Sequence, residues 1–233
     1  MELKGDHAHH HTLGSHKACV SLVPIFNHLK DEQMNEIMEV VQTFSFKKGE
    51  NIYRSGDPSD SLYIVSSGRI RIYRLSESGK EQLVRILTPG YFTGELALFK
   101  EALHEAYAEA IEETQVCIIR RSDLQKLLLN YPSVSLKILT EFSNRLEQSE
   151  KQTTRFSTEK VETRIAFFLA ECMDENQLNE FVLPMSKKDL ASYLGTTPAT
   201  ISRKLSRLED KGYIKQKPHN RIEILDLDGL LLV

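Results

Sequence analysis

The stretch MSKKDLASYLGTTPATISRKLSRLEDK, Met185–Lys211, carries two short helical patterns around a tight turn. Ser186 is placed to cap the first helix, and Asp189 falls in its positively polarised first turn. Leu190, Ala191 and Leu194 give that helix a buried face, and Gly195 ends it with a residue free to adopt positive φ. Thr197 suits the N-cap of the second helix and Pro198 its first helical position. Ile201, Leu205 and Leu208 recur at helical spacing and are expected to face inward. Ala199, Thr200, Ser202, Arg203, Lys204 and Arg207 are left toward the outside, near a positive helix N-terminus. A helix-turn-helix places such a face in the major groove of DNA. The alternative is a helical hairpin with a solvated basic face.

The residues beyond the second helix favour the DNA-reading arrangement. GYIKQKPHNRIEIL, residues 212–225, has two alternating apolar runs around Pro218-His219-Asn220, a hairpin signal that completes a winged helix-turn-helix. The 233-residue chain has a formal net charge of −3, so any DNA affinity must come from a local patch. Residues 186–217 supply one, where Lys187, Lys188, Arg203, Lys204, Arg207, Lys211, Lys215 and Lys217 outnumber Asp189, Glu209 and Asp210.

Upstream the periodicity changes twice. Residues 30–43 read as a helix with Met34, Ile37, Met38 and Val41 on its apolar face. From Phe44 to Arg120 the period becomes two. Short runs there are punctuated by Gly49, Gly56-Asp57-Pro58, Ser67-Gly68, Ser78-Gly79 and Pro89-Gly90, which indicates a β-sandwich or barrel. SDLQKLLLN (122–130) is a short helix and SVSLKILTEFSNRLEQSEKQTTRF (133–156) a long one. In the latter Leu139, Phe142, Leu146, Ser149, Thr153 and Phe156 form a coiled-coil seam suited to a two-fold dimer. Part of that face is expected to pack on the chain's own β domain. Ser157-Thr158 starts the hinge, and VETRIAFFLAECMDE opens the DNA-binding half with Ile165, Phe168, Leu169 and Cys172 facing its core. FVLPM reads as a short strand and LDLDGLLLV as a segment packing back.

The TISRKL segment, KKGENIYRSGDPSDSLYIVSSGRIRIY and PGYFTGELALF together resemble the Crp/Fnr family of bacterial transcription regulators, from about Ser21 to the end. The resemblance implies an α+β fold. It comprises a His-rich segment (1–20), a cyclic-nucleotide-binding-like β-roll (21–130), a dimerisation helix (131–157) and a winged helix-turn-helix (158–233). It implies that Arg203 reads guanine, as arginine's fork matches the two acceptors there, with Thr197, Thr200, Ser202, Lys204 and Arg207 positioning or supporting it. The family usually has glutamate where this chain has Ala199. Losing that contact to cytosine removes roughly 1–3 kcal/mol of discrimination, so an altered operator is expected. The implied partners are a palindromic DNA operator, a second copy of the chain, and RNA polymerase if the protein activates.

The resemblance also bears on the signal. Cyclic-nucleotide binders of this fold follow the GELALF run with an arginine that pairs with the phosphate. Here KEALHEAYAEAIEET succeeds it, with no arginine between Lys100 and Glu113. Glu101, Glu105, Glu109, Glu112 and Glu113 add negative charge instead, so a cyclic nucleotide is not expected. Glu95 and Gly94 are expected to remain as structural residues. Cys117 and Cys19 match the regions where the Fnr branch carries its sensing cysteines. The chain has three cysteines, which excludes a four-cysteine iron–sulfur cluster. Two resemble instead the FLP regulators, which switch between dithiol and disulfide. Read without the resemblance, a lone strand cysteine such as Cys117 is a small buried hydrophobe.

His9, His11 and His16 lie in a polar leader that is either inert or a capture site for a metal such as zinc. No apolar run reaches membrane-spanning length and no signal peptide is evident, so a cytoplasmic protein is expected. No paired carboxylates, nucleophile–base set or phosphate loop points to an enzyme.

Overall fold

The computed structural model describes residues 23–233. Cys19, His9, His11 and His16 lie outside the described residues. The chain divides into two compact units: residues up to Leu75 with Val84–Arg145, and Ser76–Leu83 with Leu146–Val233.

The first described helix of the first unit, α1 (Asp31–Val40), buries Met34, Ile37 and Met38. The helical pattern of the sequence extends to residue 43, but the helix stops earlier. Val41 is extended (φ −81°, ψ 132°) and Gln42 already pairs with Ile118. Ten short strands come after it: β1 (Gln42–Phe46), β2 (Asn51–Tyr53), β3 (Pro58–Ser59), β4 (Ser61–Ser67), β5 (Ile70–Leu75), β6 (Glu81–Leu87), β7 (Phe92–Thr93), β8 (Ala102–Leu103), β9 (Tyr107–Ala110) and β10 (Thr114–Arg120). They form sheets of order β1-β10-β4-β7 and β2-β9-β5-β6, with β3-β8 as a small pair. Helices α2 (Arg121–Asn130) and α3 (Pro132–Thr158) come next.

Strand alternation divides the core in two. Tyr63, Val65 and Val116 point into the roll and meet Ile52, Tyr53, Ile70, Ile72 and Leu87. Their neighbours Leu62, Ile64, Cys117 and Ile119 point the other way, against Ile37 of α1, Leu124 and Leu127 of α2 and Ile138 of α3. Both faces of β4 and β10 are therefore covered, which explains their nearly unbroken apolar runs. Gly94 is required at its corner: its φ is +85°, and a Cβ there would lie 2.3 Å from the Ser61 carbonyl oxygen.

The second unit contains α4 (Val161–Asn176), β11 (Glu180–Val182), α5 (Lys187–Tyr193), α6 (Pro198–Asp210), β12 (Ile214–Lys217), β13 (Arg221–Ile224) and α7 (Leu227–Leu231), with sheet order β11-β13-β12. Ile165, Phe168, Leu169 and Cys172 are buried on α4 as expected. The closing segment packs back, burying Leu230, and the Thr163 hydroxyl donates to the Val233 carbonyl at 2.8 Å.

Helix α3 runs through Ser157-Thr158, the expected start of the hinge. Their hydroxyls donate to the Thr154 carbonyl at 2.9 Å each, so these polar side chains are satisfied inside the helix. The break falls at Glu159-Lys160, where Lys160 is extended. The expected seam on α3 is also divided. Phe142 packs against the first unit's core, and Phe156 lies under the Arg164 guanidinium of the second. Leu136, Leu139 and Leu146 are exposed.

Candidate nucleic-acid interface

The turn between α5 and α6 is fixed by local chemistry. Ser186 Oγ accepts from the Asp189 backbone N–H at 3.1 Å, which starts α5. Gly195 ends the turn at φ +65°. The Arg164 guanidinium donates to the Leu194 carbonyl at 2.8 Å, satisfying an acceptor that the helix end would otherwise leave open. Thr197 Oγ1 then accepts from the Thr200 N–H at 3.2 Å, and Pro198 occupies the first turn of α6. Ile201, Leu205 and Leu208 are fully buried. The expected caps, the positive φ of Gly195, the place of Pro198 and the buried stripe of α6 are all present.

The outer face of α6 carries Pro198, Ala199, Ser202, Arg203, Ser206 and Arg207, all exposed, with Thr200 and Lys204 half-buried at its edges. Arg203 makes no side-chain hydrogen bond or ion pair among the described residues. Its neighbours differ. Lys204 Nζ lies 2.6 Å from Glu162 of α4, Lys211 Nζ 3.3 Å and Arg207 3.7 Å from the same carboxylate. On the hairpin, Lys217 Nζ sits between Glu180 at 2.6 Å and Glu223 at 2.8 Å. A count of cations in the sequence therefore overstates the positive charge this surface offers.

The hairpin β12–β13 turns through His219 and Asn220, both at positive φ (59° and 61°). Asn220 Nδ2 donates to the Met185 carbonyl at 2.9 Å, tying the turn to the start of α5. Glu209 accepts from the Gln216 backbone N–H at 2.7 Å and its side chain at 2.9 Å, locking β12 to the end of α6. Sequence reasoning missed the roles of Glu162 and Glu209, because their partners are distant or change direction through a turn.

In the first unit, Tyr53, Ile72, Arg74, Arg85, Thr93, Gly94, Glu95, His104 and other residues line a cavity of about 170 Å³. Burial opposes ionisation of Glu95, but Arg85 and Arg145, each 2.9 Å from Oε1, hold its pKa below the usual carboxylate range. The His104 ring stacks on Tyr53 with centroids 3.7 Å apart, and burial lowers its pKa. Among the described residues, His104 Nε2, Glu95 Oε2 and Arg85 Nε have no hydrogen-bond partner.

Four of the five glutamates expected to charge this region negatively lie beside arginines. Glu105 pairs with Arg74 at 2.8 Å, Glu109 with Arg71 at 2.8 Å, Glu112 with Arg69 at 2.9 Å and Glu101 with Arg121 at 3.6 Å. Arg71 and Glu109 are direct cross-strand partners on β5 and β9, a register that the sequence does not display.

Cys117 is fully buried at the middle of β10, opposite Thr43 and Ile64. It is disulfide-bonded, whereas Cys172 is free. The Thr43 hydroxyl lies 3.6 Å from its sulfur. Burial pushes the Cys172 thiol up to about 12, which suits a core residue. Among the described residues no group of three or more His, Cys, Asp or Glu could hold a metal ion, and no helix is long and apolar enough to cross a membrane.

Residues 43–131 match the cyclic nucleotide-binding domain and residues 163–232 the Crp-like helix-turn-helix domain. The chain is 32% identical to the probable transcriptional regulator flp of Lacticaseibacillus casei, over 91% of this chain and 96% of that one. It belongs to the Crp/Fnr family of transcription regulators. Another relative is electron transport regulator A of Shewanella oneidensis, 30% identical over 91% of this chain and 84% of that protein. FixK2 from Bradyrhizobium japonicum superimposes with a TM-score of 0.72 at 30% identity, covering 82% of this chain and 96% of that one. This family member is thus a DNA-binding transcription regulator with a helix-turn-helix.

Proposed function

We propose that this regulator works in the cytoplasm as a homodimer that reads a palindromic operator with α6, and that a Cys19–Cys117 thiol–disulfide switch sets its affinity. Arg203 is the base-reading residue. The observation that carries this is its exposed, unpartnered guanidinium on a helix whose other cations are engaged. Thr197, Thr200 and Ser202 meet phosphate or bases near the helix N-terminus, and Lys204 and Arg207 support the helix through Glu162. Exposed Leu136 and Leu139 of α3, with Phe99 edge-on to Phe142, form the apolar face a second copy would cover. RNA polymerase is the further partner if the protein activates.

The switch is supported by the bonded state of Cys117 beside the free Cys172. Since Cys117 is buried, Cys19 is the attacking thiol and Cys117 the resolving one. Cys19 thiolate attacks a low-molecular-weight disulfide and expels one thiol. Cys117 then displaces the second, so two protein thiols are oxidised and one disulfide reduced to two thiols. The test is DNA affinity of reduced and mildly oxidised protein at fixed salt, with thiol counting. A change in affinity that accompanies loss of two thiols, and vanishes in Cys117→Ser, supports the switch. An oxidant response retained in Cys117→Ser refutes it.

A second reading has its own support. The three unpartnered polar atoms around the first unit's cavity suit a small polar effector. A cyclic phosphate is disfavoured because Arg85 and Arg74, the guanidiniums on the cavity, are engaged by Glu95 and Glu105. Calorimetry with candidate metabolites on thiol-blocked protein separates the readings: binding heat that shifts DNA affinity favours the effector. Metal capture by His9, His11 and His16 is tested by zinc titration of the full chain.

A further inference from the structure

We propose that Glu162 is a specificity-determining positioning residue: it withholds Lys204 and Lys211 from the DNA backbone so that Arg203 governs which sequences are bound. The inference rests on α6 being the DNA-reading helix. Glu162 stands in the first turn of α4 and is 9% exposed. Lys204, Arg207 and Lys211 are spaced to fall on one stripe of α6 and its C-cap, and all three converge on its carboxylate at 2.6, 3.7 and 3.3 Å. The hydrogen bond from Lys204, with Lys211 and Arg207 behind it, holds Glu162 below the usual carboxylate range.

The consequence lies in how proteins bind duplex DNA. Sequence-independent affinity grows with the number of phosphates that cations neutralise. Such contacts help specific and non-specific sites alike, so they add affinity without discrimination. A lysine already hydrogen-bonded to a buried carboxylate can reach a phosphate only by leaving that carboxylate without its partner, which is costly. Arg203 has no such tie. The arrangement lowers the non-specific background against which Arg203 discriminates.

The experiment uses the full chain and the salt dependence of binding to an operator duplex and to a scrambled duplex. In Glu162→Gln, freed lysines add one or two phosphate contacts. The slope of log K against log salt on scrambled DNA steepens by about 0.9 per added contact. Non-specific affinity rises at low salt, and the ratio of specific to non-specific affinity falls. Glu162→Asp keeps the charge and restores the wild-type slope. In Glu162→Gln/Lys204→Met the slope returns toward wild type. A second arm does not depend on the fold tolerating a change at Glu162: Lys204→Met alone leaves the wild-type slope unchanged, because that cation is already withheld.

An unchanged or shallower slope in Glu162→Gln, with both affinities falling in parallel, would mean that Glu162 merely braces the fold and would overturn the proposal. So would a slope shallower by about one contact in Lys204→Met. Failure of the base-reading assignment shows separately, as unchanged sequence preference in an Arg203 variant.

Discussion

Replacing Gly195 with alanine tests the geometry that presents α6. Gly195 sits at φ +65°, and a left-handed conformation costs an L-residue roughly 1–2 kcal/mol. The added Cβ would also meet the Phe156 ring at 3.0 Å. That ring lies 4.9 Å beneath the Arg164 guanidinium, which holds the Leu194 carbonyl, so it cannot yield without disturbing the end of α5. Overpacking of this kind adds on the order of 1 kcal/mol. Together the two terms destabilise the second unit by about 2–3 kcal/mol. Amide hydrogen exchange at Ile201, Leu205 and Leu208 reads this directly, because these core amides exchange through opening of the unit. The expected acceleration is about 30- to 150-fold, at tenfold per 1.4 kcal/mol. Gly195→Asn carries the same Cβ but tolerates the left-handed region better, so it falls between alanine and wild type. Exchange in Gly195→Ala within twofold of wild type would refute both the backbone and the packing argument.

Two further perturbations probe the dimer face and the buried histidine. Leu139→Glu puts a charge on the exposed apolar face of α3, and sedimentation is expected to shift toward monomer with operator affinity falling at nanomolar protein; an unchanged dimer would reject that face. His104 has a pKa below its ordinary 6.5, so the unfolded state binds its proton first as the pH falls. The first unit is therefore expected to hold this contribution above that value and to lose stability progressively below it. Urea midpoints measured from pH 7.5 to 5 should show a smaller decline in His104→Gln.

The helix-turn-helix was legible because its signals are local. Ser186, Gly195, Thr197 and Pro198 each act within a turn of their own position, and the spacing of Ile201, Leu205 and Leu208 marks a buried stripe without reference to any partner. Cys172 and the apolar face of α4 were legible for the same reason. The features hidden in the sequence depend on pairing across distance. Glu162 neutralises cations on another helix. Glu105, Glu109 and Glu112 find their arginines only through the fold of the β-roll, as the register of β5 with β9 shows for Glu109. Phe142 and Phe156, equal members of a seam by spacing, pack in different units. Ser157 and Thr158, residues that often end helices, stay helical because they bond back to carbonyls one turn earlier.

The measurement that bears most directly on the central reading is selection from a randomised palindromic duplex library at fixed salt, with wild type and Arg203→Met compared. Wild type is expected to enrich two half-sites about one helical turn apart with a guanine at one fixed position in each. Arg203→Met should keep the half-site spacing, lose the guanine preference, and bind the wild-type operator with about 1–3 kcal/mol less discrimination. Identical base preferences in the two proteins would contradict the assignment of Arg203 as the residue that reads the operator.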